Sequence, residues 1–233
     1  MNYEFQNYNK TVTSAFNELL RRDELVSKKT SNLLRILQDQ DVATVLHYGY
    51  GPTALGLAQH GYQVSLADHA SVPADEQLLF QHIDNKLTYD AVVAVDEYFT
   101  FATSDENQQE LINAAFDLTG KILITTVSDY KNMSENHREF SDPQSYKTQN
   151  GQVVYLERNI RAGRNSWQTK IHKILDTDEC ITTGPFERRS LFFKQLARMG
   201  DDAGATSFNF QKSMMYKGML KKSYEHIISI NFN

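Results

Sequence analysis

Residues 45–68, VLHYGYGPTALGLAQHGYQVSLAD, constrain the fold more than any other stretch of the chain. Residues 43–48 are a short apolar run suited to a buried strand, and glycines at 49 and 51 interrupt it. Residues 53–60 then have helical composition. Pro52 is tolerated in the first turn, where its missing N–H has no partner to lose. Gly61 stops the helix, and residues 62–67 (YQVSLA) read as a second strand ending at Asp68. Strand, glycine turn, helix and strand at this spacing form a right-handed parallel crossover, which commits the chain to an α/β sheet. Ligands of such sheets sit beyond the carboxyl ends of the strands. There the glycines let the backbone approach closely and expose N–H groups at a helix start. A carboxylate at the end of the second strand accepts hydrogen bonds from both hydroxyls of a ribose. The pattern points to a ligand of nucleoside type.

The same alternation continues to residue 127. Residues 78–83 read as a third strand ending at Asp84, and residues 91–95 (AVVAV) as a strand covered on both faces. Residues 105–118 read as helix, with Ser104 as N-cap and Gly120 closing it; residues 121–127 (KILITTV) are another buried strand. Upstream, Val12, Phe16, Leu19, Leu20, Leu33, Leu34 and Leu37 recur at three- and four-residue spacings, predicting a helix over 12–38. Beyond 128 the pattern changes. Residues 129–150 are polar and irregular, 153–160 and 167–174 read as an antiparallel pair, 188–199 as helix, and 205–210 and 224–232 as strands. The connection 211–223 is short for a parallel crossover, so the last strand is expected to run antiparallel.

At these residues the chain resembles a known family. Residues 45–68 resemble motifs I and II of class I S-adenosylmethionine-dependent methyltransferases, and residues 89–99 (YDAVVAVDEYF) and 120–127 their fourth- and fifth-strand segments. Residues 186–208 are similar to the late helix and sixth strand of small-substrate members, and 205–232 to the closing hairpin with its reversed seventh strand. The resemblance implies an α/β fold: a doubly wound, mostly parallel, seven-stranded Rossmann-like sheet with an antiparallel last strand. A β-hairpin insertion falls at about 150–175. Residues 1–233 are read as a single domain, with 1–40 an N-terminal helical lid, 41–128 the cofactor-binding half and 129–233 the substrate-side half.

It further implies S-adenosylmethionine as cofactor, S-adenosylhomocysteine as product, and no metal. Gly49 and Gly51, with Tyr50 between them, would line the methionine part. Asp68 would hold the ribose and His69 flank the adenine; Asp84 would face the adenine amine, with the Asn85 backbone beside the ring. Asp96 and Glu97 would lie near the methionine amino group and the substrate entrance. His47 stands where the family's first strand usually ends in an acid, and Thr53 replaces a common third glycine. An imidazole does not serve as counter-ion to an ammonium. Either Asp96 or Glu97 takes that role, affinity is low, or the site has lost catalysis.

Methyl transfer from a sulfonium asks the protein mainly to orient and desolvate. A base is needed only where the acceptor must lose a proton, and Glu97, Tyr98 and His137 are the candidates. A small-molecule acceptor is expected. Nucleic acid is an alternative because Arg158, Arg161, Arg164, Lys170 and Lys173 share the insertion with Tyr155 and Trp167. Against it stand a pI near 5.8 and the absence of an Asp/Asn-Pro-Pro-aromatic motif. A catalytically silent binding or structural module is a further alternative, favoured by His47. A nicotinamide-dinucleotide oxidoreductase is another, since residues 49–54 satisfy G-x-G-x-x-A. Residues 69–89 leave it little room for a full helix and strand, and the chain has no Tyr-x-x-x-Lys pair.

The net charge of −5 hides a division: residues 41–145 hold sixteen acids against four bases, and residues 146–233 fourteen bases against eight acids. The lone Cys180 excludes an internal disulfide framework. No apolar run approaches a membrane span of about 18 residues, and the first residues lack an apolar signal core. A cytoplasmic location is expected.

Overall fold

In a computed structural model that describes residues 3–96, 98–128, 138–140, 147–160, 166–175, 177–212 and 225–232, β1 (Thr44–His47) and β4 (Tyr89–Ala94) run parallel at the centre of a seven-stranded sheet. β2 (Gln63–Leu66) and β3 (Phe80–His82) extend it on one side, both parallel to β1. On the other side lie β5 (Thr119–Ser128), then β11 (Glu225–Asn231), then β10 (Ser207–Lys212) at the edge. β11 pairs antiparallel with both neighbours, so it alone is reversed. This reversal departs from the all-parallel order of dinucleotide-binding enzymes.

Side chains alternate between the two faces, as the pleat requires. Val45, Val93, Ile122, Ile124 and Ile227 face α2 (Arg22–Leu37) and α3 (Pro52–Gln59), through Leu33, Leu37 and Leu55. Leu46, Val92, Leu123 and Ile228 face α4 (Asp105–Asp117) and α5 (Phe193–Asp202), through Ile112 and Leu196. Each such buried side chain contributes about 1.5–3 kcal/mol. On the first face α2 and α3 approach so closely that a Cβ on Gly56 would collide with the Thr30 side chain. Ser104 caps α4 by accepting from the Asn107 N–H at 3.1 Å, as its position predicts.

The N-terminal stretch forms two helices rather than one. α1 (Tyr3–Asn17) and α2 are separated at 18–21, where the Leu20 N–H donates to the Lys147 carbonyl and Leu19 is buried. The apolar spacing runs through this break because Leu19 is needed in the core on its own account. Tyr8 sits within α1, packed on Phe101 and Phe186. Gly120 lies inside β5 instead of closing α4.

The insertion is larger than a hairpin. β6 (Arg138–Phe140), β7 (Val153–Ile160), β8 (Ser166–Ile174) and β9 (Cys180–Arg189) form a four-stranded antiparallel sheet in that order. β9 carries Gly184-Pro185, which reads as a break in sequence but is permitted on an edge strand. Residues 188 and 189 belong to this strand, and α5 starts at Phe193.

Candidate cofactor site

The glycine loop after β1 is closed by its own histidine. His47 is buried, and its Nδ1 lies 2.8 Å from the Gly49 carbonyl oxygen. A carbonyl only accepts, so Nδ1 carries the proton, and Nε2 accepts from the Thr53 hydroxyl at 2.8 Å. Burial pushes the imidazole down to about 4, which leaves it neutral at physiological pH. His47 is therefore a clamp across the loop, and Thr53 stands in the third-glycine position to complete it.

Because the folded value lies below the ordinary 6.5, the unfolded chain takes up a proton that the folded chain refuses between those two pH values. The stability from this residue is present above pH 6.5 and is lost as pH falls towards 4. Moving from pH 7 to 5 is expected to cost roughly 2 kcal/mol through His47. Urea midpoints of the wild type and His47→Asn at both pH values check this, and equal acid losses would refute it.

Gly49 has φ 85°, in the left-handed region that glycine adopts freely. Tyr50 is buried, and its side chain joins a cluster away from the loop: its hydroxyl donates to Glu76, and Arg22 lies 2.6 Å from the same carboxylate. Burial and Glu76 keep that phenol protonated. Gly51 is extended, and a Cβ added there would meet no protein atom within 4 Å.

Beyond β2 and β3 lies a cavity of about 510 Å³. Asp68, His69, Gln77, His82 and Ile83 line it, with Gln6 reaching in from α1. Asp68 is buried, and the Ser71 hydroxyl donates to its Oδ2 at 2.6 Å. His69 and His82 stack at 3.9 Å between ring centroids. Asp84 and Asn85 follow the wall residue Ile83 but are exposed, and Asp84 Oδ1 accepts from the Lys86 N–H at 2.9 Å. His82, Gln77 and Gln6 were not singled out by the sequence; His82 falls in a strand-end position that the acids drew attention from.

After β4 the chain turns sharply at Asp96, whose φ is 54°. Its carbonyl accepts from Arg188 Nη2 at 3.2 Å, and its exposed carboxylate lies 3.2 Å from Lys29 Nζ. Arg188 also donates through Nε to the Thr100 hydroxyl at 2.8 Å, and its guanidinium lies 3.4 Å from the centre of the Phe101 ring. This arginine is 2% exposed and lies in β9, not in the helix that the sequence predicts over 188–199. Tyr98 is buried and stacked on Tyr48 at 4.4 Å. Burial pushes the Tyr98 phenol upward and the Tyr48 phenol to about 12, so neither is a base at neutral pH.

Glu97, His137, Arg161 and Arg164 lie outside the described residues, as do the side chains of Arg158, Tyr155 and Trp167. Lys173 pairs with Glu18 of α1 at 2.7 Å, and Lys170 is half-buried opposite Glu157. Among the described residues no group of three or more His, Cys, Asp or Glu could hold a metal ion, and no helix is long and apolar enough to cross a membrane.

Comparison with family models gives no match, and comparison with curated proteins gives none. Solved structures do match. An S-adenosylmethionine-dependent methyltransferase from Clostridium acetobutylicum superposes with TM-score 0.67 at 11% identity, covering 97% of this chain and 99% of its own. An amino pentose methyltransferase from Micromonospora echinaspora, solved with the cofactor bound, gives 0.64 at 11% identity over 89% and 92%. A sugar N-methyltransferase from Streptoalloteichus gives 0.62 at 11% identity over 89% and 88%. The chain has the Rossmann-like fold of class I S-adenosylmethionine-dependent methyltransferases.

Proposed function

We propose that this protein is an S-adenosylmethionine-dependent methyltransferase acting on a small-molecule acceptor. The observation that carries the reading is the buried Asp68 on the wall of a cavity at the end of β2, one strand over from the glycine loop. A carboxylate so placed suits a ribose diol, and the open space above Gly51 suits a ligand passing over the loop. His69 and Ile83 offer flat and apolar surfaces on the wall where an adenine would lie. When bound, the sulfonium supplies the electrophilic methyl group. The chain's part is to position: the His47–Thr53 clamp fixes the loop, Arg188 fixes the turn at Asp96, and Tyr48 and Tyr98, which follow these two segments, stack on one another. Both phenols stay protonated, so Glu97 and His137 remain the candidates for a base where the acceptor needs one. An amine acceptor needs only placement, and two of the similar structures are described as methyltransferases of sugars, one an amino pentose.

Calorimetric titration with S-adenosylmethionine and S-adenosylhomocysteine tests the cofactor; absence of heat and of thermal shift with both would refute it. Labelled-methyl transfer to amino sugars, other metabolites and oligonucleotides then tests the acceptor class. Binding with no turnover on any panel would favour the silent module, the reading that the neutral His47 supports. Gly51→Ala separates ligand from fold. With nothing near its new Cβ, the unliganded melting temperature is expected to stay within about 2 °C, while S-adenosylhomocysteine affinity falls roughly tenfold or more. Equal loss of both would place the glycine's role in the fold.

A further inference from the structure

We infer that the β10 edge of the large sheet is an interface with a second copy of this chain, whose own β10 pairs antiparallel with it across a two-fold axis at Asn209. The inference stands apart from the cofactor reading above.

An open sheet edge is a row of unpaired N–H and C=O groups, and proteins blunt such edges by shortness, proline, bulges or inward charges. The other three outer strands carry such a device. β3 and β6 have three residues each, and β9 holds Gly184-Pro185 and a register shift against β8. β10 is six residues long and pairs with β11 without a register shift. It has no proline, and its one charged residue is the last, Lys212. Phe210 within it is 49% exposed and meets the exposed Phe193 of α5 edge-on at 5.7 Å. A regular, uncharged edge with exposed aromatic rings is suited to accept a further strand.

The strand that fits it is β10 itself. A two-fold axis perpendicular to the sheet keeps each face on its own side. With Asn209 on the axis, Phe208 stands opposite Phe210 of the second copy, and Ser207 opposite its Gln211. Apolar thus meets apolar on the α5 face. Polar meets polar on the α2 face, where Gln211 accepts from Arg35 at 2.9 Å. The helices add a second layer. Gly200 lies against both Phe208 of β10 and Ile230 of β11, so α5 runs above the gap between these strands. Strands are about 4.8 Å apart, so the two copies of α5 come to lie two spacings, about 10 Å, apart, the distance of packed helices. Phe193 sits at Phe210 and Gly200 at Phe208, which centres α5 near Asn209 and therefore on the axis. Its exposed charges are divided along its length, Lys194 and Arg198 first, Asp201 and Asp202 last. Two such helices running antiparallel place the basic part of each beside the acidic end of the other. Fold, face and charge complement one another only in this self-pairing.

Sedimentation velocity of the full chain between about 1 and 100 μM reads the association directly. A reversible monomer–dimer equilibrium is expected; a monomer at every concentration overturns the inference. Phe210→Glu puts a carboxylate into both copies of the apolar pair and is expected to weaken the dimer roughly 30-fold or more. A dimer of unchanged affinity in this variant also overturns it. On a Cys180→Ser background, Asn209→Cys is expected to form a disulfide-linked dimer on mild oxidation. Residues opposite one another in an antiparallel pair have Cα atoms about 4.5–5.5 Å apart, within disulfide reach. Leu78→Cys, fully exposed beside the opposite edge of the sheet, is the control and is expected to cross-link far more slowly. Equal cross-linking at the two positions, or none at Asn209, places any dimer on another face. Should Phe210→Glu fail to fold, the Asn209 cross-link decides alone, because that side chain is exposed and leaves the packed face intact.

Discussion

Asp68→Ala is expected to reduce S-adenosylhomocysteine affinity by roughly two to four orders of magnitude. A carboxylate accepting from two vicinal hydroxyls makes two charge-assisted hydrogen bonds, each contributing about 1.5–3 kcal/mol. Asp68 is suited to this because burial shields it from competing water and Ser71 orients it through Oδ2. Asp68→Asn keeps one acceptor in the same shape, so a loss nearer tenfold is expected. Calorimetry reads both variants, with unliganded thermal unfolding as the check that each is folded. An Asp68→Ala protein that binds within threefold of the wild type would remove the ribose from this end of β2.

The second large effect is on stability. Arg188→Ala is expected to cost about 3–5 kcal/mol, a fall in melting temperature of roughly 6–20 °C for a chain of this length. The truncation removes a guanidinium stacked on Phe101, empties its volume, and takes the donors from Thr100 and from the Asp96 carbonyl. Arg188→Lys does not rescue this, because an ammonium neither stacks flat on the ring nor forks to two acceptors. The adjacent Arg189 is the control. It pairs with Asp105, whose side chain is 68% exposed, so Arg189→Ala is expected to cost at most about 1 kcal/mol. Equal melting temperatures for the two alanine variants would refute the account of the buried arginine.

These neighbours show where sequence reading stops. Along an edge strand, alternate residues face opposite sides, so Arg188 points inward and Arg189 outward. In sequence both read as solvent-loving, and Gly184-Pro185 hides the strand that separates them. By contrast, the buried strands β1, β4 and β5, the Ser104 cap and the reversal of β11 were legible, because each rests on a local pattern of apolar residues, a cap or a connection length. The strand-end position of Asp68 was legible for the same reason. Tyr50 shows the limit within a motif: its place in the loop was readable, but its partners Arg22 and Glu76 are 28 and 26 residues away. His47 carried a signal that went unused. A histidine where an acid is usual, with Thr53 six residues later where a glycine is usual, is a paired exchange of hydrogen-bonding groups. The Lys29–Asp96 pair spans 67 residues and has no sequence signature.

The reversed strand sets an order of events during synthesis. β11 fills the gap between β5 and β10, so the large sheet stays in two pieces until residues 225–231 have left the ribosome. Until then β5 shows an unsatisfied edge, and β10 lacks the strand it pairs with. A nascent chain halted before residue 225 is therefore an aggregation-prone species. That exposure is set by strand order alone.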